Sequence, residues 1–98
     1  MYNTNYKRPF VQFLKKQSKV FQAIIEDQVT VICENPEIGE LKIGDLSDIR
    51  VHKFKFQRQE YLIAYSVNET IEILMIDFYK IGTHENFYAE LKKYLQCE

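Results

Sequence analysis

Two near-continuous runs of β-branched and aromatic residues, Tyr61 to Val67 and Ile71 to Phe78, are separated only by Asn68-Glu69-Thr70. Runs this apolar and this short read as central strands of a sheet, and the three polar residues between them read as a hairpin. Upstream the pattern has period two. Ile49 and Val51 alternate with Arg50 and His52, and Phe54 and Phe56 alternate with Lys53 and Lys55. The apolar parity flips between Val51 and Phe54. A β-bulge near His52-Lys53 would repair the flip and gather Arg50, His52, Lys53 and Lys55 on one open face.

The flanks change period. Pro9 suits a first helical turn, where its missing N–H is not needed, and Phe10, Phe13 and Leu14 follow at i, i+3, i+4. Ser18 can cap a second helix carrying Phe21, Ile24, Ile25, Val29, Ile32 and Cys33 until Asn35-Pro36 ends it. Gly82 breaks the last strand, and Phe87, Tyr88, Leu91, Tyr94 and Leu95 recur at helical spacing. With a short edge strand over residues 2–7, the order is β-α-α-β-β-β-α. The fold class is α+β: a small antiparallel sheet with an N-terminal helical hairpin and a C-terminal helix.

Ninety-eight residues make a single domain, 1–98, and 46% hydrophobic residues suffice for a packed core. No window is apolar for long enough to span a membrane, and the polar start has no signal-like apolar stretch, so a cytoplasmic location is expected. Cys33 and Cys97 fit no metal spacing and are too few for a disulfide framework. The net charge of −1 is unevenly distributed. Lys7, Arg8, Lys15, Lys16 and Lys19 precede any acid, and Arg50, Lys53, Lys55 and Arg58 form a second basic segment. Seven acids against Lys42 lie between the two. Such sorting can build one basic and one acidic face.

Taken together, the Lys-rich helical hairpin, Asn35-Pro36-Glu37-Ile38-Gly39, Leu46 to Lys53, Tyr61-Leu62-Ile63-Ala64-Tyr65 and Gly82 to Tyr88 resemble the RelE/ParE superfamily of bacterial type II toxins. The resemblance covers nearly the whole chain. It implies a toxin neutralised by a cognate antitoxin. RelE-like members cleave mRNA in the ribosome, whereas ParE-like members poison DNA gyrase without a nuclease site. Gly82-Thr83-His84, with Tyr88 four residues beyond the histidine, resembles the YafQ-like nucleases and favours the ribonuclease branch. Three features depart from RelE: Leu62 stands where an arginine follows the tyrosine, RelE places an arginine near the position His84 occupies here, and the chain is acidic overall.

The implied reaction is attack of a ribose 2′-OH on the adjacent phosphate. It needs a base, an acid and cations on the phosphorane, and no metal or other cofactor. On this reading His84 is the general acid and His52, exposed on its strand, the base. Arg50 grips phosphate with Lys53, Lys55 and Arg58, and Tyr88 stacks on a base or bonds a phosphate oxygen. Lys15, Lys16 and Lys19 would touch ribosomal RNA. Plainer readings stand beside these. His84 can be a helix cap, His52 a strand residue and Tyr88 part of the core. The basic strand can bind RNA, gyrase or an acidic antitoxin segment without catalysis. Antitoxin contacts are expected on exposed apolar surface at Phe10 and Val11, or at Tyr94.

Overall fold

The computed structural model describes residues 2–97; Met1, Glu98 and the side chain of Cys97 lie outside it. The elements are β1 (Asn3–Tyr6), α1 (Arg8–Lys15), α2 (Lys19–Glu34), β2 (Glu40–Leu41), β3 (Arg50–Phe56), β4 (Gln59–Glu69), β5 (Leu74–Gly82) and α3 (Phe87–Cys97), with a 3₁₀ turn at Gly44–Leu46. Five strands form one sheet in the order β1-β5-β4-β3-β2.

The helical hairpin forms for the reasons its sequence gives. Pro9 sits in the first turn of α1, and Ser18 caps α2 by accepting from the Phe21 N–H at 3.2 Å. Gln22 Nε2 donates to the carbonyl of Leu14 at the end of α1, satisfying an acceptor that the helix leaves open. Phe21, Ile25, Val29 and Ile32 of α2, with Phe10 of α1, are buried against Phe54, Ile63, Tyr65, Ile76, Phe78 and Ile81. Phe21 stacks on Phe56 with ring centroids 4.3 Å apart.

A second apolar layer covers the opposite face of the sheet. There Phe87 and Leu91 of α3 pack with Leu46, Ile49, Val51, Leu62 and Ala64. The α+β class and both helical units therefore stand, with two corrections to the sheet, the first being a fifth strand, β2, paired with β3 at its edge. β1 runs parallel to β5, pairing Asn3 with Met75 through Tyr6 with Phe78, so the sheet is mixed rather than antiparallel. The other pairings are antiparallel. The chain enters beside its last strand because α1 and α2 carry it back across the whole sheet.

The expected bulge in β3 is absent. Arg50 to Phe56 pair without interruption with Tyr65 to Gln59. No repair is needed, because both faces are covered where the parity changes: Val51 serves the α3 layer and Phe54 the helical-hairpin layer. The irregularity lies instead between β4 and β5, where Ala64 pairs with Lys80 and Tyr65 with Phe78, leaving Tyr79 unpaired. This extra residue lets both Phe78 and Ile81 face the helical hairpin. The turn after β4 also falls later than expected. Thr70 N–H bonds the Ile73 carbonyl, and Ile71 is fully exposed rather than part of a strand.

Candidate functional site

Strand parity divides the basic segment between two faces. Val51, Lys53 and Lys55 point to the α3 side, and Arg50, His52, Phe54 and Phe56 to the hairpin side. Alternation thus places Lys53 and Lys55 together just past the area that α3 covers, and both are exposed. Lys55 lies directly opposite Glu60 in the β3–β4 register. The two-residue turn Gln57-Arg58 sets that register, with both residues at positive φ (51° and 68°).

Glu60 in turn meets the loop before α3. Its Oε1 is 2.5 Å from Nε2 of His84, whose side chain remains half exposed. The Glu60 carboxyl is held below the usual carboxylate value, first by the bond to His84, then by the charges of His84, Lys53 and Lys55. An ionised carboxylate can only accept, so the His84 Nε2–H donates and its Nδ1 is left to face solvent or a ligand. As the second residue of α3, Tyr88 is half-buried at the edge of the second core, with the Lys42 ammonium 5.4 Å from its ring centroid. Lys42 also bonds Glu40 at 2.5 Å. The charge of Lys53 reaches Glu40 and contributes to holding its carboxyl below the usual value, after the larger effect of Lys42.

Of the residues singled out in the sequence, His84, Lys53, Lys55 and Tyr88 therefore share one side of the sheet. Arg58 is exposed in the turn at the same end. His52 and Arg50 do not join them. His52 is buried on the hairpin face, bonded through Nε2 to Gln28 Oε1 of α2 at 2.7 Å, so the expected exposed base is a core histidine. Arg50 is half-buried and donates to the carbonyls of Gly39 (2.8 Å) and Glu37 (3.3 Å), tying down the loop after α2. Lys15, Lys16 and Lys19 are exposed around the α1–α2 connection, on the helical hairpin that covers the other face of the sheet. Leu62, on the His84 side, is completely buried under α3 and offers no charge.

Glu60, Lys42 and Glu40 were missed by reading the sequence. The signal for Glu60 was available: taking Gln57-Arg58 as a two-residue turn places Glu60 across from Lys55. Phe10, expected to be exposed, is fully buried. A small apolar hollow of about 180 Å³ nevertheless opens beside it, lined by Tyr6, Val11, Leu14, Ile25 and Val29 among others. Among the described residues no group of three or more His, Cys, Asp or Glu side chains is placed to hold a metal ion. None of the described helices is long and apolar enough to cross a membrane. Cys33 is half-buried with a free thiol, which burial pushes up in pKa.

Comparison with known proteins places the chain in a family and its fold among solved ones. The sequence profile of the ParE-like toxins of type II bacterial toxin–antitoxin systems matches residues 5–92. No curated protein matches the chain by sequence. Among solved structures, the fold is similar to E. coli RelE with arginine-to-alanine changes at two positions, free of any partner. That match has a TM-score of 0.69 at 19% identity, covering 96% of this chain and 97% of the other. The isolated E. coli RelE toxin gives 0.63 at 18% identity, covering 97% and 99%. The toxin in the intact E. coli RelBE toxin–antitoxin complex gives 0.64 at 17% identity, covering 85% and 96%.

Proposed function

The chain belongs to the ParE-like toxins of type II toxin–antitoxin systems, within the RelE/ParE superfamily, and from that premise we propose that it is a cytoplasmic, ribosome-dependent mRNA endoribonuclease. As a type II toxin it pairs with an antitoxin, as RelE does with RelB. The observation that carries the nuclease reading is the His84–Glu60 pair set on one open face with Lys53 and Lys55. Two ammonium groups neutralise charge developing on a phosphorane, and an imidazole with one N–H held by a carboxylate presents the other nitrogen in a fixed direction.

In the proposed reaction His84, protonated, gives its Nδ1 proton to the leaving 5′ oxygen; Glu60 orients the ring through Nε2–H until RNA takes its place. Lys53 and Lys55 grip the scissile phosphate, and Tyr88 stacks against a neighbouring base. His52 has no part in it, being behind the sheet. The open face has no second imidazole and its lysines act as ammonium groups, so the 2′-hydroxyl proton passes to water.

Primer extension on a reporter message after brief expression without antitoxin tests the reading. His84→Ala should lower cleavage about 10²- to 10⁴-fold, the usual contribution of a positioned acid. Cuts that survive this change would move the chemistry to the lysines. A second reading, inhibition of DNA gyrase, is favoured by the ParE-like profile. Growth arrest with intact message and blocked supercoiling would establish it. Absence of both effects would leave an antitoxin-binding member without activity of its own.

A further inference from the structure

We infer that Glu60 is a resident counter-anion that occupies the phosphate position of the Lys53–Lys55–His84 cluster, so that RNA enters by displacing it. The inference rests on the nuclease reading only in naming an RNA phosphate as the incoming anion. A carboxylate and a phosphate present the same thing to N–H donors: anionic oxygens that accept charge-assisted hydrogen bonds. The cluster already holds such an oxygen. Glu60 Oε1 receives the His84 Nε2–H, and the charges of Lys53 and Lys55 act on the same carboxylate.

Lys42 is drawn off by Glu40, and Lys80 by Glu90 at 2.9 Å across the Phe87 ring, so their charge is already matched. Glu60 is the carboxylate that faces Lys55 directly across the strands. Its side chain is 36% exposed and unburied at its tip, so it can rotate into solvent without disturbing the core. Displacing it frees His84 Nε2–H, and a bound phosphate then meets that donor within the field of the Lys53 and Lys55 charges. The device tunes the site to a polyanion, which brings several phosphates to the basic face at once, over a lone anion. It also lowers the affinity of the free toxin for any single phosphate.

The test measures binding without turnover. A fluorescently labelled RNA octamer carrying 2′-O-methyl groups, which cannot be cleaved by 2′-OH attack, is titrated by anisotropy into wild type, Glu60→Gln and Glu34→Gln. Inorganic phosphate is titrated in parallel and followed at the His84 ring by NMR. Glu60→Gln should tighten both ligands about five- to tenfold, the effect of removing one competing charge at contact distance near the surface. It should also steepen the salt dependence of RNA binding by about one phosphate contact. Glu34→Gln, at the far end of α2, removes the same formal charge and should change affinity less than twofold.

Unchanged or weaker binding by Glu60→Gln overturns the inference, as does an equal gain in Glu34→Gln, which would reduce the effect to net charge. The two proposals fail separately. Tighter binding by Glu60→Gln in a protein that cuts no message would leave the counter-anion standing and remove the nuclease. His84-dependent cutting with no gain in Glu60→Gln would do the reverse.

Discussion

Tyr65 shows how much one side chain can fix. Fully buried, it donates its hydroxyl to the Pro36 carbonyl at 2.6 Å and accepts the Gly39 N–H at 2.9 Å. It thereby fastens the loop after α2 to the centre of the sheet. A Cβ at Gly39 would lie 2.6 Å from that hydroxyl. Gly39→Ala must therefore push apart two buried hydrogen bonds, and should cost about 2–3 kcal/mol, read as a lower urea midpoint with unchanged slope. His52 supplies the pH dependence. Burial pushes its pKa below 6.5, so the folded state holds it neutral. As pH falls below about 6.5 the unfolded chain takes up a proton that the folded chain refuses, and stability declines; above that pH the contribution is fully present. Glu60, lowered from 4.5, adds a second loss only below about that value. Thermal melts between pH 7.5 and 5.5 should show the first loss alone, and His52→Gln should flatten it.

Among the elements, the β3–β4 hairpin sits furthest from its sequence preference. Type I′ turns favour Asn-Gly, yet Gln57 and Arg58 adopt positive φ there with full side chains. Replacing the pair by Asn-Gly should stabilise the fold by about 1–2 kcal/mol, measured by denaturant unfolding, and leave the Lys55–Glu60 register intact. This hairpin also marks where the sequence stops being legible. Pro9, Ser18, Asn35-Pro36 and the heptad-like spacing of α3 are local signals, and the helices fall where those signals put them. Lys53 and Lys55 could be picked out from strand alternation, whereas His84 and Tyr88 were marked by the resemblance. Plain alternation also parts His52 from Lys53. What hid that was the parity flip between Val51 and Phe54, which invites a bulge unless both faces are known to be covered, a property of the packed layers. The parallel pairing of β1, which joins residues more than seventy apart, is equally invisible to a local pattern.

At the scale of the whole molecule, charge is sorted along the sheet. Lys53, Lys55 and Arg58 gather at the end carrying the β3–β4 turn. The opposite end opens a groove of about 1000 Å³ rimmed by Glu37, Asp45, Asp48 and Glu69. An acidic protein can thus present a basic working face, and overall charge says little about what that face binds. Stability is graded too. β4 and β5 are central and buried, whereas β2 has two residues and β1 is an exposed edge strand. Hydrogen exchange should find the slowest amides in β4 and β5 and the fastest in β1 and β2.

The β1–β5 pairing has a consequence for how the protein is made. Its first strand docks onto its last, and β5 is also the partner that β4 needs on its second side. While the chain emerges from the ribosome, Asn3–Tyr6 has nothing to pair with until Leu74–Gly82 follows, and His84 comes later still. The nascent toxin is therefore an unfinished sheet for most of its synthesis. It gains its complete sheet only after Leu74–Gly82 has been made, and the antitoxin meets the folded toxin no earlier than that.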